Sequence, residues 1–348
     1  MAEFADVATL EEFMTRPTRE LEADLARVEG GILVLGVGGK MGPTLARMAK
    51  RAAPARRVIG VARFSDKGLK EKLQQSGIEC IECDLLERAA LEGLPRERNV
   101  VFMAGHKFGA AGDPSFTWAM NVAVPFMVAE HFRGSHIVAF STACVYPFAD
   151  VNGQGAPEDT PTLPPPGDYA TSCVGREQMF RHASRRHGTP GRLVRLSYAI
   201  DLRYGVLYDV ARSVFDQQPV ALGMGYANVI WQGDANERTE ARRALARRGV
   251  RQALLEEAVV LRRGGKECMA RRHAGGGEAA GRAAGRDRDD DRLGGGLGRA
   301  RAAKPRQADP FRDPGWKVLS IRSGHSTLPA AWRFRRPPPG IRARPTGG

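Results

Sequence analysis

Residues 31 to 52, "GILVLGVGGKMGPTLARMAKRA", constrain the fold more than any other stretch of the chain. "ILVL" is apolar throughout, as a strand buried on both faces is, and apolar residues at helical spacing follow from Gly42. Between them stand Gly36, Gly38, Gly39 and Gly42. Glycines in this context let the backbone approach a pyrophosphate held at the helix N-terminus. The stretch therefore predicts the first strand, turn and helix of a nucleotide-binding unit.

Five more strand-like segments follow: "RRVIGVARF", "GIECIECDL", "NVVFMAG", "SHIVAFSTACVY" and "GRLVRLSYAI". Helix-compatible segments such as "LKEKLQQSG", "TWAMNVAVPFMVAEHF" and "ATSCVGREQMFRHASRRHG" separate some of them. Continuous apolar strands alternating with helices predict an α/β protein with a Rossmann-like, doubly wound parallel sheet. Ahead of it, "TLEEFMTRPTRELEADLARVEG" predicts one or two short amphipathic helices, with Thr9 capping the first and Gly30 to Gly31 ending the second. The expected organisation is an N-terminal helical extension over 1–30, a dinucleotide-binding domain with the start of a substrate region over 31–235, and a basic low-complexity tail over 236–348.

The formal charge of +14 belongs to that tail, which holds 27 of the 53 basic residues against 12 of the 39 acidic ones. Its Arg, Ala, Gly and Pro vocabulary is too poor in aromatic and β-branched residues to offset the entropy of ordering, so disorder is expected. Few aromatics, no repeated RGG spacing and an acidic cluster at Asp287 to Asp291 argue against a nucleic-acid arm. A more economical explanation is a reading frame that shifts near Asn236, leaving a truncated or aberrant C-terminal substrate region. Cysteines 80, 83, 144, 173 and 268 make an odd count, and no secretory leader pattern precedes them. A reducing, cytoplasmic setting is expected. "CIEC" lacks a second pair at zinc spacing, so Cys80 and Cys83 read as buried thiols and no metal is expected. No apolar run approaches the roughly 18 residues that span a bilayer.

Arg63, after Val61 and Ala62 at the end of the second strand, is placed to accommodate a 2′-phosphate and tilts the cofactor from NAD towards NADP. Asp84, directly after the third strand, suits either the adenine side of that cofactor or a helix cap.

From about Gly31 to Gly205 the chain resembles the extended short-chain dehydrogenase/reductase superfamily, and within it the NAD-dependent epimerase/dehydratase group that acts mainly on nucleotide sugars. "GVGGKMG" resembles its glycine motif and includes Met41, and "CDLL" carries Asp84. "MAGHKFG" is similar to the fourth-strand motif, which implies cofactor contacts for Ala104, Gly105 and Lys107. Asn121 in "AMNVAV" matches the family's helix asparagine. "STACVYP" puts Thr142 at the catalytic Ser/Thr position and Tyr146 on the substrate side, and "PEDTPTLPPPGDYATS" leads into Tyr169 as the catalytic base. The resemblance implies NAD or NADP as cofactor, a nucleotide sugar or related polyol as substrate, and a homodimer formed through two helices, one of them carrying Tyr169. It also implies the chemistry: a tyrosinate takes a hydroxyl proton while the carbon beneath gives hydride to the nicotinamide.

One position departs from the pattern. The family places a lysine four residues after the tyrosine, and here that residue is Cys173. A phenol has an ordinary pKa near 10 and needs a nearby positive charge to act as a base at neutral pH. Lys107, the nicotinamide itself, or Arg176 one helical turn further on are the candidate replacements, with Arg176 also a substrate-side candidate. Two competing readings are an impaired NAD(P)-binding sensor or scaffold, and a functional Cys173 thiolate. Beyond the sixth strand, "VRLSYAIDLRYG" offers Ser197, Tyr198 and Gly205 without the family's usual Asn and Gly-Pro, and the resemblance ends near Asp234.

Overall fold

The computed structural model describes residues 4–107, 112–150, 155–220, 226–245 and 316–321, the backbone alone for 241–245 and 316–321. In chain order the elements are α1 (Val7–Met14), α2 (Arg19–Ala26), β1 (Ile32–Leu35), α3 (Gly42–Ala52), β2 (Val58–Ala62), α4 (Leu69–Gln75), β3 (Glu79–Glu82), α5 (Arg88–Glu92), β4 (Asn99–Phe102) and α6 (Pro114–Trp118). After a π-helical turn over Ala119–Ala123 come α7 (Val124–His131), β5 (His136–Thr142) and, past a 3₁₀ turn over Ala143–Val145, α8 (Asp168–His187). Then follow β6 (Gly191–Leu196), β7 (Tyr198–Ile200), α9 (Val206–Phe215), β8 (Val229–Trp231), α10 (Gln232–Leu245) and β9 (Trp316–Ile321).

The first six strands and β9 form one parallel sheet in the order β3-β2-β1-β4-β5-β6-β9. Ile32 pairs with Val58 on one side and Asn99 on the other, so the order reverses between β1 and β4. In doubly wound sheets ligands bind outside the strands' carboxyl ends at such a switch point. Both faces of the sheet are covered. Ile32 and Val34 pack with Leu21 and Leu25 of α2, Leu45 and Met48 of α3, and Ala235 of α10. Leu33 and Leu35 point the other way, to Val124 and Val128 of α7 and Phe180 and Ala183 of α8. The period of two along an apolar strand thus fills two cores at once.

Several expectations need correcting. Asp6, not Thr9, caps α1: its carboxylate accepts from the Thr9 backbone N–H at 2.7 Å. Asp is a strong cap because its oxygen reaches the amides of the first turn. The second helix ends at Ala26, well before Gly30, which turns the chain into β1 with a φ of +79°. The N-terminal helices are no separate extension, since Leu21 and Leu25 are wholly buried in the main core. "GRLVRLSYAI" is two strands: β6 stays in the main sheet, and after Ser197 the chain passes to β7, which pairs with β8 in a second sheet. The expected boundary at 235/236 falls inside α10, where Asn236 and Thr239 are fully buried. Within the segment expected to lack structure, "WKVLSI" forms β9, in register with β6 from Gly191↔Trp316 to Leu196↔Ile321. The remaining tail, 246–315 and 322–348, lies outside the described residues, as does Cys268.

Phe180 is the tightest test of the α8 packing, being fully buried with its ring edge-on to Phe102 at a centroid distance of 5.3 Å. Phe180→Ala is expected to lower unfolding stability by about 3–5 kcal/mol in urea titration. Phe148→Ala, at a side chain 82% exposed, is expected to change it by less than about 0.5 kcal/mol.

Candidate active site at the switch point

The glycine turn needs its glycines for measurable reasons. Gly36 has a φ of +87°, and a Cβ there would lie 2.6 Å from the Ala104 nitrogen, so only glycine lets β1 and the end of β4 come this close. At Gly42 a Cβ would lie 2.3 Å from the Val37 carbonyl oxygen, against which the first turn of α3 closes. Gly38 and Gly39 are exposed. Met41, half-buried, precedes the helix without a side-chain cap, and Pro43 takes an early position where its missing N–H costs nothing. A helix start left uncapped by side chains, behind a turn that added Cβ atoms would fill, fits the pyrophosphate of a dinucleotide.

Arg63 and Asp84 meet at the ends of β2 and β3, 3.8 Å apart. Asp84 also accepts from the Leu86 backbone N–H at 3.0 Å, forming a local turn. The guanidinium expected to meet a 2′-phosphate is thus already drawn to a carboxylate.

Asn121, fully buried on the π turn, organises the next part of the site. Its Oδ1 accepts from the His106 N–H at 2.9 Å and its Nδ2 donates to the His106 carbonyl at 3.0 Å, which clamps the loop of Ala104, Gly105 and Lys107. Its Nδ2 also donates to Ser172 Oγ at 3.0 Å, and Ser172 donates to the Tyr169 carbonyl at 3.0 Å. One amide side chain thereby ties the loop after β4 to the helix that carries Tyr169. Lys107 Nζ stands 5.6 Å from the Tyr169 ring centroid and 5.2 Å from that of Tyr198.

Thr142 ends β5, accepts from the Cys144 N–H at 3.2 Å, and hydrogen-bonds the Tyr169 phenol, which favours the ionised form. Burial acts the other way and dominates, pushing the phenol above its ordinary value, with Cys173 adding to the rise and Arg176 opposing it. Cys173 is fully buried in a small apolar cluster with Val145 and Tyr146, and burial pushes its thiol up as well. That environment disfavours a thiolate.

The two residues expected on the substrate side, Tyr146 and Arg176, are both buried. Tyr146 is buried, its ring 4.6 Å below the Arg195 guanidinium. Arg176 is also buried and reaches inward to the Phe140 carbonyl at 3.0 Å and Asn121 Oδ1 at 2.6 Å. An apolar cluster attracts the first, and two inward acceptors attract the second.

Sequence reasoning missed the ion pair that holds α8 in place. Glu177 and Arg195 are 1% and 2% exposed, and Arg195 donates from Nε and Nη2 to the two carboxylate oxygens at 2.9 and 2.8 Å. Ser141 donates to the same carboxylate at 2.7 Å. The signal available was a second arginine, after Arg192, within the strand "RLVRL". A second feature also went unread. Tyr204 donates to the Lys40 carbonyl of the glycine turn at 3.0 Å and hydrogen-bonds Gln232 of α10, with Lys40 Nζ 4.7 Å from its ring centroid.

Residues 32–200 match the model of the NAD dependent epimerase/dehydratase family. A comparison with the curated proteins finds no significant match. Among solved structures, the chain is similar to the Bordetella bronchiseptica enzyme WbmG in complex with NAD: 20% identity, 61% of this chain and 68% of that one, TM-score 0.52. It is similar also to the UDP-glucose 4-epimerase of Thermotoga maritima, with 17% identity, 60% and 72% of the two chains and a TM-score of 0.52. The dTDP-glucose 4,6-dehydratase DesIV of Streptomyces venezuelae gives 18% identity, 60% and 70%, and 0.52. At these identities the likeness establishes the fold. Among the described residues no helix is long and apolar enough to cross a membrane.

The ion pair gives a direct test of how α8 is held. Glu177→Gln removes the charge that neutralises buried Arg195, and the variant is expected to lose about 3–5 kcal/mol of stability in thermal or urea unfolding.

Proposed function

We propose that this chain is an NAD-dependent enzyme that acts on a nucleotide sugar or related polyol, as an epimerase, dehydratase or reductase, with Tyr169 as the proton-transfer group. The observation that carries the proposal is the meeting of Tyr169 and Thr142 at the end of β5, on the same strand-end face as the glycine turn of β1. When bound, NAD supplies a hydride acceptor. Gly36, Gly38, Gly39, Met41 and Gly42 would hold its pyrophosphate at the start of α3, Arg63 and Asp84 would meet its adenosine end, and Ala104, Gly105 and Lys107 would flank its nicotinamide end. Thr142 donates a hydrogen bond to the phenol oxygen and so favours the phenolate over the phenol. Tyr169 then takes a proton from a substrate hydroxyl at its own oxygen. A second copy pairing along α7 and α8 completes the proposal.

A different reading, a dinucleotide-binding sensor or scaffold, draws on the burial of Tyr169, which pushes the phenol above its ordinary value. Two measurements separate them. By calorimetry, native protein is expected to bind NAD, and Gly36→Val to weaken binding roughly tenfold or more, since a side chain there meets the β4 backbone. Native protein with no NAD affinity overturns both readings. In a turnover screen of nucleotide sugars, Tyr169→Phe is expected to reduce the rate about 100-fold or more. NAD binding without any Tyr169-dependent turnover leaves the sensor in place of the enzyme.

A further inference from the structure

We propose that the Arg176 guanidinium is the fixed positive charge at the tyrosine site, acting from one helical turn beyond the cysteine at position 173. This rests on Tyr169 being the proton-transfer group. Tyr169, Cys173 and Arg176 follow one another at four and three residues along α8, so they share a face of the helix. Arg176 is 6% exposed, and a Cβ on Gly105 would lie 2.2 Å from its Nη2. The absence of a side chain at Gly105 is what admits the guanidinium beneath the loop that carries Lys107.

The partners of this cation are neutral. Nη1 donates to the Phe140 carbonyl, Nη2 to Asn121 Oδ1, and the guanidinium carbon stands 5.6 Å from the Phe102 ring centroid. Nε is buried without an acceptor. Among the described residues no carboxylate lies within ion-pair distance of Arg176, and the carboxylate next to it in sequence, Glu177, is engaged by Arg195 and Ser141. A buried charge without a counter-ion is costly, and the cost falls when a negative charge forms nearby. A Tyr169 phenolate is such a charge. Arg176 opposes the effect of burial on both Tyr169 and Cys173.

The groups that face Tyr169 are Thr142 from the end of β5, Cys144 from the 3₁₀ turn after it, Cys173 and Arg176 from its own helix, and Lys107 from the loop after β4. Of the two cations, Lys107 is exposed and stands over the ring, where solvent screens it. Arg176 is buried, so its field acts through a medium of lower dielectric. It is a positioning residue as well, because its bond to Asn121 helps hold the amide that joins the 104–107 loop to Ser172 and Tyr169.

The experiment is a phenolate absorbance titration of the NAD-loaded full chain between about pH 7 and 11, taken as the difference from Tyr169→Phe so that only Tyr169 is read. Arg176→Gln is expected to move the titration up by about one pH unit or more, and Arg176→Lys and Lys107→Met to move it less. A loss of packing alone would not order these variants by charge. A curve for Arg176→Gln that coincides with the native one, a larger shift for Lys107→Met, or no Tyr169 ionisation below pH 11 in the native protein overturns the proposal. If Arg176→Gln fails to fold, Cys173→Lys/Arg176→Gln returns a cation to the same face. A native-like titration in that variant supports a charge role, and one shifted upward overturns it. Turnover is measured separately: native protein that binds NAD and shows an Arg176-dependent titration without converting any nucleotide sugar counts against the proposed activity and leaves the role of Arg176 standing.

Discussion

The bidentate pair of Arg195 and Glu177 joins the carboxyl-terminal end of β6 to the middle of α8, and the geometry of the site follows from it. A helix advances about 1.5 Å and 100° per residue, so holding one residue against the sheet sets the position and facing of the residues within two turns. Glu177 is eight residues after Tyr169, four after Cys173 and one after Arg176. The carboxylate also takes the Ser141 hydroxyl, next to Thr142 on β5, so the same ion pair sets the helix against the strand that supplies the tyrosine's partner. Gly175 helps from the opposite side. A Cβ there would lie 2.8 Å from Val122, and its absence lets α8 lie close against the π turn.

The π turn does comparable work for Asn121. Continuing α6 directly into α7 as an α-helix would rotate every later side chain, whereas the wider turn inserts one residue without breaking the helix. Asn121 ends up fully buried, with both ends of its amide bonded to His106 and its nitrogen also on Ser172. The loop after β4 and α8 are therefore placed relative to each other by one side chain. Apolar packing alone would leave that loop free to slide.

The sheet was legible because its strands are apolar on both faces, and "ILVL", "VIGV" and "NVVF" have no competing helical reading of comparable length. The glycine turn was legible because strand, glycines and helix occur in that order. What escaped was whatever depends on contacts distant in sequence. Arg195 looked like an ordinary strand residue, since its partner is 18 residues away in another element. Tyr146 sits in a motif that marks the substrate side, but whether its ring faces a cleft or the Arg195 guanidinium is decided by packing. The break at Ser197 is invisible in "RLVRLSYAI" because both halves are apolar and β-prone, and the switch of sheets is a tertiary choice. "WKVLSI" was passed over because its surroundings are low in complexity, although the six residues are strand-like on their own terms.

Among the described residues, those that bond around the glycine turn and the start of α3 occur by Asn236. Tyr204 bonds the Lys40 carbonyl, Gln232 and Asn236 donate to Thr44 Oγ1 at 2.8 and 3.0 Å, and Thr44 in turn bonds the Met41 carbonyl at 3.0 Å. Arg203 links Asp201 to Glu11, whose other oxygen takes Arg47 of α3 at 3.0 Å. These bonds stiffen the start of α3 from the side of α1 and α10, and none of them draws on the Arg- and Gly-rich segment that follows.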